Sequence, residues 1–400
     1  MNPAAVRRDV AVIGLVGGGH FMSHFFQLSV APLFPLIKAD LDVGYAALGL
    51  IVTVFYATSG LSQTPAGFLV DRLGAPRVLL AGLSLVAVSI GLVGLAPGYW
   101  ALLPLAALAG MGNSVFHPAD YAILTSRVSE ARLGQAYSVH SIGGTLGWAA
   151  APAVLLPIAA RWGWRRALLV AAVLGLLAAA TIAAQRARLA TGGAPAAGTA
   201  HPRPSPALQL FLTPAILACF AYFILTSFSY VGVQTFMTTA LTTLYDAPLT
   251  AATGALTAFL VATALGVLAG GRLADVTTRH DLVAVIGVSS GAALMLLVAT
   301  TVLALPVVLV TVAAAGFAVG VTSPSRDMLV RAATPRGASG RVFGFVYSGL
   351  DVGSSTGPLL FGWLMDHGEA RAVFVCVAIG FLLCAATVQV RMRAVPRPAL

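Results

Sequence analysis

Apolar segments of about twenty residues recur from one end of this 400-residue chain to the other. Residues 78–96 and 282–305 are examples, and a helix needs about this length to cross roughly 30 Å of hydrocarbon. Because lipid offers the backbone no hydrogen-bond partners, a spanning chain must form helices or a closed barrel. Barrel strands alternate in polarity over about ten residues, and these segments do not. The sequence therefore predicts an all-α membrane protein.

Hydropathy and turn signals divide the chain into twelve predicted transmembrane helices. They lie near residues 10–37, 46–69, 77–96, 99–126, 134–160, 164–185, 208–240, 250–271, 282–304, 306–331, 340–365 and 370–390. With the N-terminus inside, 17 Lys and Arg residues fall in cytoplasmic segments, five fall on the opposite side and Arg326 falls within a helix. Since basic residues are retained in the cytoplasm, we expect a multi-pass inner-membrane protein with both termini cytoplasmic.

Several functional classes are disfavoured by composition. The net charge is +10 and only 9% of residues are charged, and the basic residues are spread over short loops, so a nucleic-acid partner is not expected. The cysteines Cys219, Cys376 and Cys384 lie in apolar stretches without metal-ligand spacing. The chain has no nucleophile motif, HExxH pattern or ATP-binding loop. We therefore expect the lipid bilayer as surroundings, and no catalytic residue, metal site or cofactor.

An internal repeat organises the chain. Residues 187–207 are rich in Ala, Gly and Pro and predict a flexible cytoplasmic linker. Gly67 and Asp71 match Gly271 and Asp275, 204 residues later. At a spacing of 206 residues, Pro118, Gly134, Gly143, Gly147 and Pro152 match Pro324, Gly340, Gly349, Gly353 and Pro358. The repeat predicts two related six-helix bundles, residues 1–186 and 208–400.

A short polar motif joins the second and third predicted helices. The stretch GFLVDRLGAPR contains Gly67, Asp71, Arg72, Gly74 and Arg77. Glycine permits a tight loop, and a carboxylate there can cap a helix or pair with an arginine. The motif resembles the signature of the major facilitator superfamily, and the second half keeps Asp275 of it. The resemblance implies the major facilitator fold, with twelve helices in two pseudo-symmetric bundles, and a gating role for this loop.

A narrower resemblance covers the fourth and fifth predicted helices. Residues 110–124, GMGNSVFHPADYAIL, and 134–152, GQAYSVHSIGGTLGWAAAP, resemble the fosmidomycin-resistance type of facilitator, an efflux subgroup. That subgroup carries glutamate directly after its His-Pro pair. Here Ala119 takes that place and the acid is Asp120, about 100° further around a helix.

The two resemblances imply a secondary transporter of a small molecule that works by alternating access. Efflux by antiport is the first expectation. Uptake of a small organic anion by symport and a non-transporting receptor of the same fold are the alternatives. Because no ATP-binding loop is present, protons are the expected coupling ion. Two halves can enclose a path within one chain, so we expect a functional monomer.

Small residues recur in the fifth and eleventh predicted helices. Glycines four residues apart allow helix backbones to approach closely, and the segment also resembles an antiporter signature. Helix packing is the expected role of Gly143, Gly147, Pro152, Gly349, Gly353 and Pro358.

Ionisable residues within a membrane are costly unless paired or hydrated, and they are candidates for function. Asp120, Arg326, Asp327 and Asp351 are such residues. Asp120 and Arg326 occupy equivalent repeat positions, which predicts an ion pair that closes the cytoplasmic gate. The alternative is a static pair within one half, for example Arg326 with Asp351. Asp351 stands among small residues and is the expected proton carrier, with a structural hydrogen bond to a nearby serine as the alternative.

Histidines and aromatic residues complete the predicted pathway. His20, His24, His117 and His140 all fall in predicted helices, but buried histidines are often packing residues, so only His24 and His117 are singled out. Facilitators place their first, fourth, seventh and tenth helices around the cavity. Tyr230 and Gln234 are four residues apart and share a helix face. The further candidates are Gln27, Tyr222, Tyr230 and Gln234, with packing or interfacial anchoring as the alternative for the tyrosines.

Overall fold

The computed structural model describes residues 3–189, 211–335 and 339–394. The chain divides into two compact units, Met1–Gly198 and Thr199–Leu400. The first unit contains α1 (Pro3–Gln27), a 3-10 turn (Ala31–Leu33), α2 (Phe34–Leu41), α3 (Tyr45–Leu73), α4 (Ala75–Leu95), α5 (Tyr99–Asn113), α6 (Phe116–Arg127), α7 (Glu130–Trp162), α8 (Trp164–Ala184) and α9 (Arg186–Leu189). The second contains α10 (Pro214–Tyr245), α11 (Leu249–Val276), α12 (His280–Ala299), α13 (Leu305–Ala333), α14 (Ser339–Asp366) and α15 (Ala370–Ala394).

Ten helical stretches of the described chain are long and apolar enough to cross a membrane. They comprise α3, α4, α5 together with α6, α7, α8, α10, α11, α12, α13 and α15. The predicted first and eleventh spans fall on α1 and α14, which are outside this set. The all-helical membrane fold is therefore as expected, and the count of twelve spans stays a prediction.

Two predicted spans are interrupted near prolines. The first, predicted over residues 10–37, ends at Gln27 and continues as a 3-10 turn and α2, because Pro32 and Pro35 begin these elements and cannot extend the preceding helix. The fourth, predicted over residues 99–126, breaks between Asn113 and Phe116. Pro118 has no N–H with which to continue α5, and it lies instead in the first turn of α6, where that N–H has no intrahelical partner.

The predicted gating loop is largely helical, which corrects the expectation from the sequence. Gly67, Asp71 and Arg72 belong to the last turns of α3, and Arg77 lies in the first turn of α4. The chain turns only at Gly74, whose φ is +87°, a conformation that glycine adopts readily. Asp275 likewise lies within α11. The motif is thus a helix–glycine–helix junction.

The predicted linker lies mostly outside the described residues. Its first three residues, 187–189, belong to α9 and are helical, so the flexible segment does not begin at residue 187 as predicted.

The same helix pairings occur in both units. In the first unit α1 packs on α7, α3 on α5 and α4 on α8. In the second unit α10 packs on α14, α11 on α13 and α12 on α15. A Cβ atom at Gly147 would collide with the carbonyl oxygen of Phe21, and one at Gly353 with that of Ile224. The close approach of α7 to α1 is therefore repeated by α14 on α10.

A buried carboxylate fixes one end of the first unit. Asp9 of α1 accepts hydrogen bonds from the Ser129 hydroxyl at 2.6 Å and the Ser129 N–H at 3.3 Å, and its side chain has no exposed surface. Arg132 approaches the same carboxylate at 3.4 Å. Hydrogen bonds from Ser129 hold the pKa of Asp9 below its usual range, against the effect of burial. The contact ties the start of α1 to the start of α7.

Candidate functional site

An aspartate and two histidines from three helices meet inside the first unit. The Asp120 side chain on α6 is fully buried. His140 Nε2 on α7 lies 3.0 Å from Asp120 Oδ2, and His20 Nδ1 on α1 lies 3.2 Å from the same oxygen. The His20 and His140 rings are stacked with centroids 3.5 Å apart. We call His20, Asp120 and His140 the buried triad.

Two more histidines flank the buried triad. The ring centroids of His24 and His117 lie 4.5 Å and 5.3 Å from that of His20. His24 also packs on Trp148, with centroids 4.2 Å apart, whereas His117 is exposed. The predicted pathway residues His24, His117 and Asp120 thus lie together, in one cluster of titratable side chains.

Gly144 on α7 makes room for these rings. A Cβ atom there would lie 2.7 Å from His24 Cε1 and 3.1 Å from His20 Cδ2, closer than carbon atoms pack in proteins. Only glycine therefore leaves both imidazoles where they are.

Several buried polar atoms of the cluster lack a hydrogen-bond partner. Among the described residues these include His20 Nδ1, His24 Nδ1 and Asp120 Oδ1. Buried polar atoms are nearly always paired in native proteins, so each exception needs an explanation.

The structure also brings metal-ligand atoms together from separate helices. His20, His24 and His117 form one set, and the buried triad forms another, with the ligand atoms of each set within 4.8 Å of one another. No metal site is expected from the sequence, because its cysteines lack metal-ligand spacing and it has no HExxH pattern. From the sequence, His20 and His140 are two further histidines in predicted helices, and the fold shows that they share Asp120.

A layer of neutral polar groups lies beside the histidines. Gln27 donates to Asn113 Oδ1 at 3.2 Å and accepts from Trp148 Nε1 at 3.0 Å. Ser23 donates to the same Asn113 oxygen at 2.8 Å, and Asn113 donates to Ser59 at 2.9 Å. Gln27 was predicted to line the pathway; its amide is hydrogen-bonded within this layer and half-buried.

In the second unit, Arg326 pairs with its neighbour on α13. Its Nε lies 3.0 Å from Asp327 Oδ1, and its guanidinium stacks over the Phe223 ring at 4.3 Å from the centroid. No ion pair joins Arg326 to Asp351 among the described residues, so that example of a static pair is wrong and Asp327 takes its place. Asp120 and Arg326 each have partners within their own unit, and a pair between the halves stays a prediction.

Asp351 differs from the other predicted ionisable residues. It is half-buried on α14, and within the described chain its side chain makes no hydrogen bond or ion pair. The nearby Ser354 exchanges a hydrogen bond with Ser227 at 2.6 Å, and Ser348 donates to the Phe345 carbonyl at 2.7 Å. The alternative of a structural hydrogen bond from a serine to Asp351 is therefore not seen.

The predicted aromatic and amide residues of α10 are mostly buried. Tyr222 and Gln234 are 4% and 5% exposed, and Tyr230 is half-buried against Phe259. Tyr222 lines a small pocket together with Cys219, Phe223, Arg326 and Leu329. Their role in the pathway stays a prediction.

The predicted gating residues lie on exposed helix ends. The side chains of Asp71, Arg72 and Arg77 are exposed, as is that of Asp275. Arg77 reaches back to the Leu73 carbonyl at 3.5 Å. Their gating role stays a prediction.

Comparison with known proteins assigns the family. The sequence profile of the Major Facilitator Superfamily matches residues 16–255 and 223–399. The chain belongs to the Major Facilitator Superfamily. By family this facilitator is a membrane protein of the transporter class and not an enzyme.

The facilitator is similar to two curated proteins and to a solved structure. It is 26% identical to the fosmidomycin resistance protein of Escherichia coli over 67% of this chain and 66% of that protein. It is 28% identical to the membrane sensor protein UhpC of Salmonella typhimurium over 40% of this chain and 36% of that one. The matched segments therefore span less than two thirds of either relative.

The solved structure is a bacterial homologue of the human lysosomal transporter Spinster, inward-facing and occupied. Its TM-score is 0.78 at 14% identity, over 96% of this chain and 97% of that one. At this identity the likeness shows the facilitator fold.

Proposed function

We propose that this facilitator exports a small molecule in exchange for protons, by alternating access, as a monomer in a bacterial inner membrane with both termini in the cytoplasm. The similarity to the fosmidomycin resistance protein supports export. Asp351 on α14, which has no ion-pair partner in the described part of the chain, supports the proposal of proton coupling.

Asp351 is suited to carry a proton because, among the described residues, no group pairs with its charge. A carboxylate inside a membrane is costly when charged and unpaired. Asp327 neighbours Arg326, and Asp120 lies against two histidines, so loss of either charge would disturb a contact. Asp351 makes no hydrogen bond or ion pair in the described part of the chain. It can therefore take up and release a proton without breaking one.

The direct test is the pH inside proteoliposomes that contain the purified protein and a trapped pH dye. Fosmidomycin, other phosphonates and small carboxylates are added outside, without an imposed pH gradient. Antiport carries protons out as substrate enters, so the lumen becomes alkaline whichever way the protein is inserted. Symport of an organic anion would instead make the lumen acidic, and this outcome would replace export by uptake.

We expect Asp351→Asn to abolish the substrate-driven pH change while substrate binding persists. Asp366→Asn is the matched control, because Asp366 ends the same helix and is exposed. It should leave the pH change intact. Proton coupling through Asp351 is wrong if the Asp351→Asn protein still moves protons at the rate of the unmodified protein.

The similarity to UhpC favours a membrane sensor as the second candidate. A sensor would bind a solute without accumulating it. Binding measured by thermal shift, combined with no uptake of the same radiolabelled solute, would favour this candidate over a transporter.

A further inference from the structure

We propose that the buried triad, His20, Asp120 and His140, binds a divalent transition-metal ion. The ion would lie within the first unit, held by α1, α6 and α7 together. The inference concerns a binding site and does not depend on proton coupling through Asp351.

The spacing of the donor atoms suits one ion. Zinc binds imidazole nitrogen at about 2.0–2.1 Å and carboxylate oxygen at about 2.0–2.2 Å, so two ligands at a tetrahedral angle lie about 3.3 Å apart. The nitrogens of His20 and His140 lie 3.2 Å and 3.0 Å from Asp120 Oδ2. The two nitrogens and the carboxylate oxygen are all within 4.8 Å of one another. The stacked rings of His20 and His140 would have to turn to aim both nitrogens at one ion.

The donor chemistry selects the class of metal. Two imidazoles and one carboxylate suit zinc and its neighbours in the first transition row. Magnesium and calcium prefer sites built from oxygen ligands, and the buried triad offers only one carboxylate. Three protein ligands leave a coordination position for water or another group.

Two unpaired atoms give independent support. Asp120 Oδ1 is buried without a hydrogen-bond partner among the described residues, and His20 Nδ1 lies 3.2 Å from Asp120 Oδ2 without the geometry of a hydrogen bond. Leaving a buried polar atom unsatisfied is destabilising, and metal coordination would remove that penalty. A cluster held only by hydrogen bonds leaves both atoms unexplained.

The surroundings provide room and further imidazole groups. A Cβ atom on Gly144 would lie 2.8 Å from His24 Nδ1 and 3.1 Å from His20 Cδ2, so glycine keeps this space open to the rings. The exposed His117 lies with its ring centroid 5.3 Å from that of His20 and 6.2 Å from that of His140. His117 is therefore a fourth imidazole beside the buried triad.

The test is metal binding by the purified full-length protein, prepared with an affinity tag that contains no histidine and stripped with a chelator. Zn²⁺ is titrated by calorimetry, and Co²⁺ is followed by its visible absorption, which is strong only at sites of low coordination number. We expect one equivalent of tightly bound Zn²⁺ and a visible Co²⁺ spectrum.

Asp120→Asn and His140→Gln should each weaken Zn²⁺ binding by about tenfold or more, because loss of even an outer-shell partner costs 10- to 100-fold. His280→Gln, at the start of α12, and His367→Gln, in the turn after α14, are matched controls in the second unit and should bind as the unmodified protein does. Asp351→Asn should also bind Zn²⁺ normally, which separates this site from the proposed proton carrier.

Thermal unfolding shows whether a variant that fails to bind Zn²⁺ is still folded. Zn²⁺ should raise the Tm of the unmodified protein and of both control variants, but not that of Asp120→Asn, whose side chain has nearly the same shape. The proposal is overturned if the unmodified protein binds no stoichiometric Zn²⁺, or if folded Asp120→Asn and His140→Gln bind it as tightly as the controls do.

Discussion

Gly144 illustrates how one missing side chain positions several others. His24 and His20 lie where the Cβ atom of any other residue would press against them. Gly18 on α1 provides the contrast, because nothing lies within 4 Å of the place that its Cβ atom would occupy. Both glycines lie within helices, but Gly144 is closely packed and Gly18 has open space beside it.

We expect Gly144→Ala to destabilise the protein by about 1–3 kcal/mol, the usual cost of overpacking, and to weaken Zn²⁺ binding by displacing His20. Gly18→Ala should change stability by no more than about 0.5 kcal/mol. Thermal unfolding in detergent and Zn²⁺ titration measure the two effects. Equal stability of the two variants would mean that the rings move aside freely.

The sequence predicts part of this cluster and misses the rest for a physical reason. Asp120, His24 and His117 are recognisable because ionisable residues inside apolar segments are unusual. His20 and His140 are just as visible in the sequence, but they are separated by 120 residues. Only the packing of α1 on α7 brings them to the same carboxylate.

At the scale of elements, the junction between α3 and α4 depends on one residue. Gly74 has φ +87° and ψ 136° and ends α3, in a region that other residues occupy only with strain. Gly67, in the same motif, lies inside α3 with nothing within 4 Å of its Cβ position.

Gly74→Ala should therefore destabilise the protein by about 1–3 kcal/mol through backbone strain. Gly67→Ala should have no cost, or gain up to about 1 kcal/mol, because alanine favours a helix over glycine. Thermal unfolding of the two variants side by side checks this. If Gly67→Ala proves as harmful as Gly74→Ala, the motif requires glycine for a reason other than its backbone conformation.

The helices themselves were largely predictable, because long apolar segments in lipid have few alternatives to helix. The points at which predicted helices are interrupted could not be predicted in this way. Hydropathy does not distinguish a proline at the start of a new element, such as Pro32 of the 3-10 turn, from one that lies within a helix, such as Pro324 of α13. The loop between α3 and α4 is shorter than predicted for a similar reason, because polar residues at the end of α3 have the composition of a loop.

At the scale of the whole molecule, the sequence repeat is matched by a repeat of close helix–helix contacts. Gly110 of α5 would meet the Phe55 carbonyl if it carried a Cβ atom, and Gly316 of α13 would meet that of Phe259. Gly147 and Gly353 form a second matched pair. The two units thus use the same close approaches of backbone to backbone.

Because Gly147 and Gly353 belong to separate compact units, we expect their effects to be independent. Gly147→Ala and Gly353→Ala should each cost about 1–3 kcal/mol by overpacking, and the double variant should equal their sum within about 0.5 kcal/mol. Equilibrium unfolding measures all three. Gly254→Ala, on α11 with nothing within 4 Å of its Cβ position, is the neutral control. A double variant far from the sum would mean that the two sites are coupled.

The contact between Asp9 and Ser129 has a consequence for the synthesis and membrane insertion of the chain. The two residues are 120 positions apart, which at about 5–20 residues per second is roughly ten seconds of synthesis. During that interval α1 leaves the ribosome with Asp9, His20 and His24 but without α7, which later covers them. The first helix is also outside the set of strongly apolar stretches. Its insertion therefore has less hydropathy to drive it than that of the stretches in the set, and a nascent chain stalled before residue 129 should expose these polar groups to crosslinking.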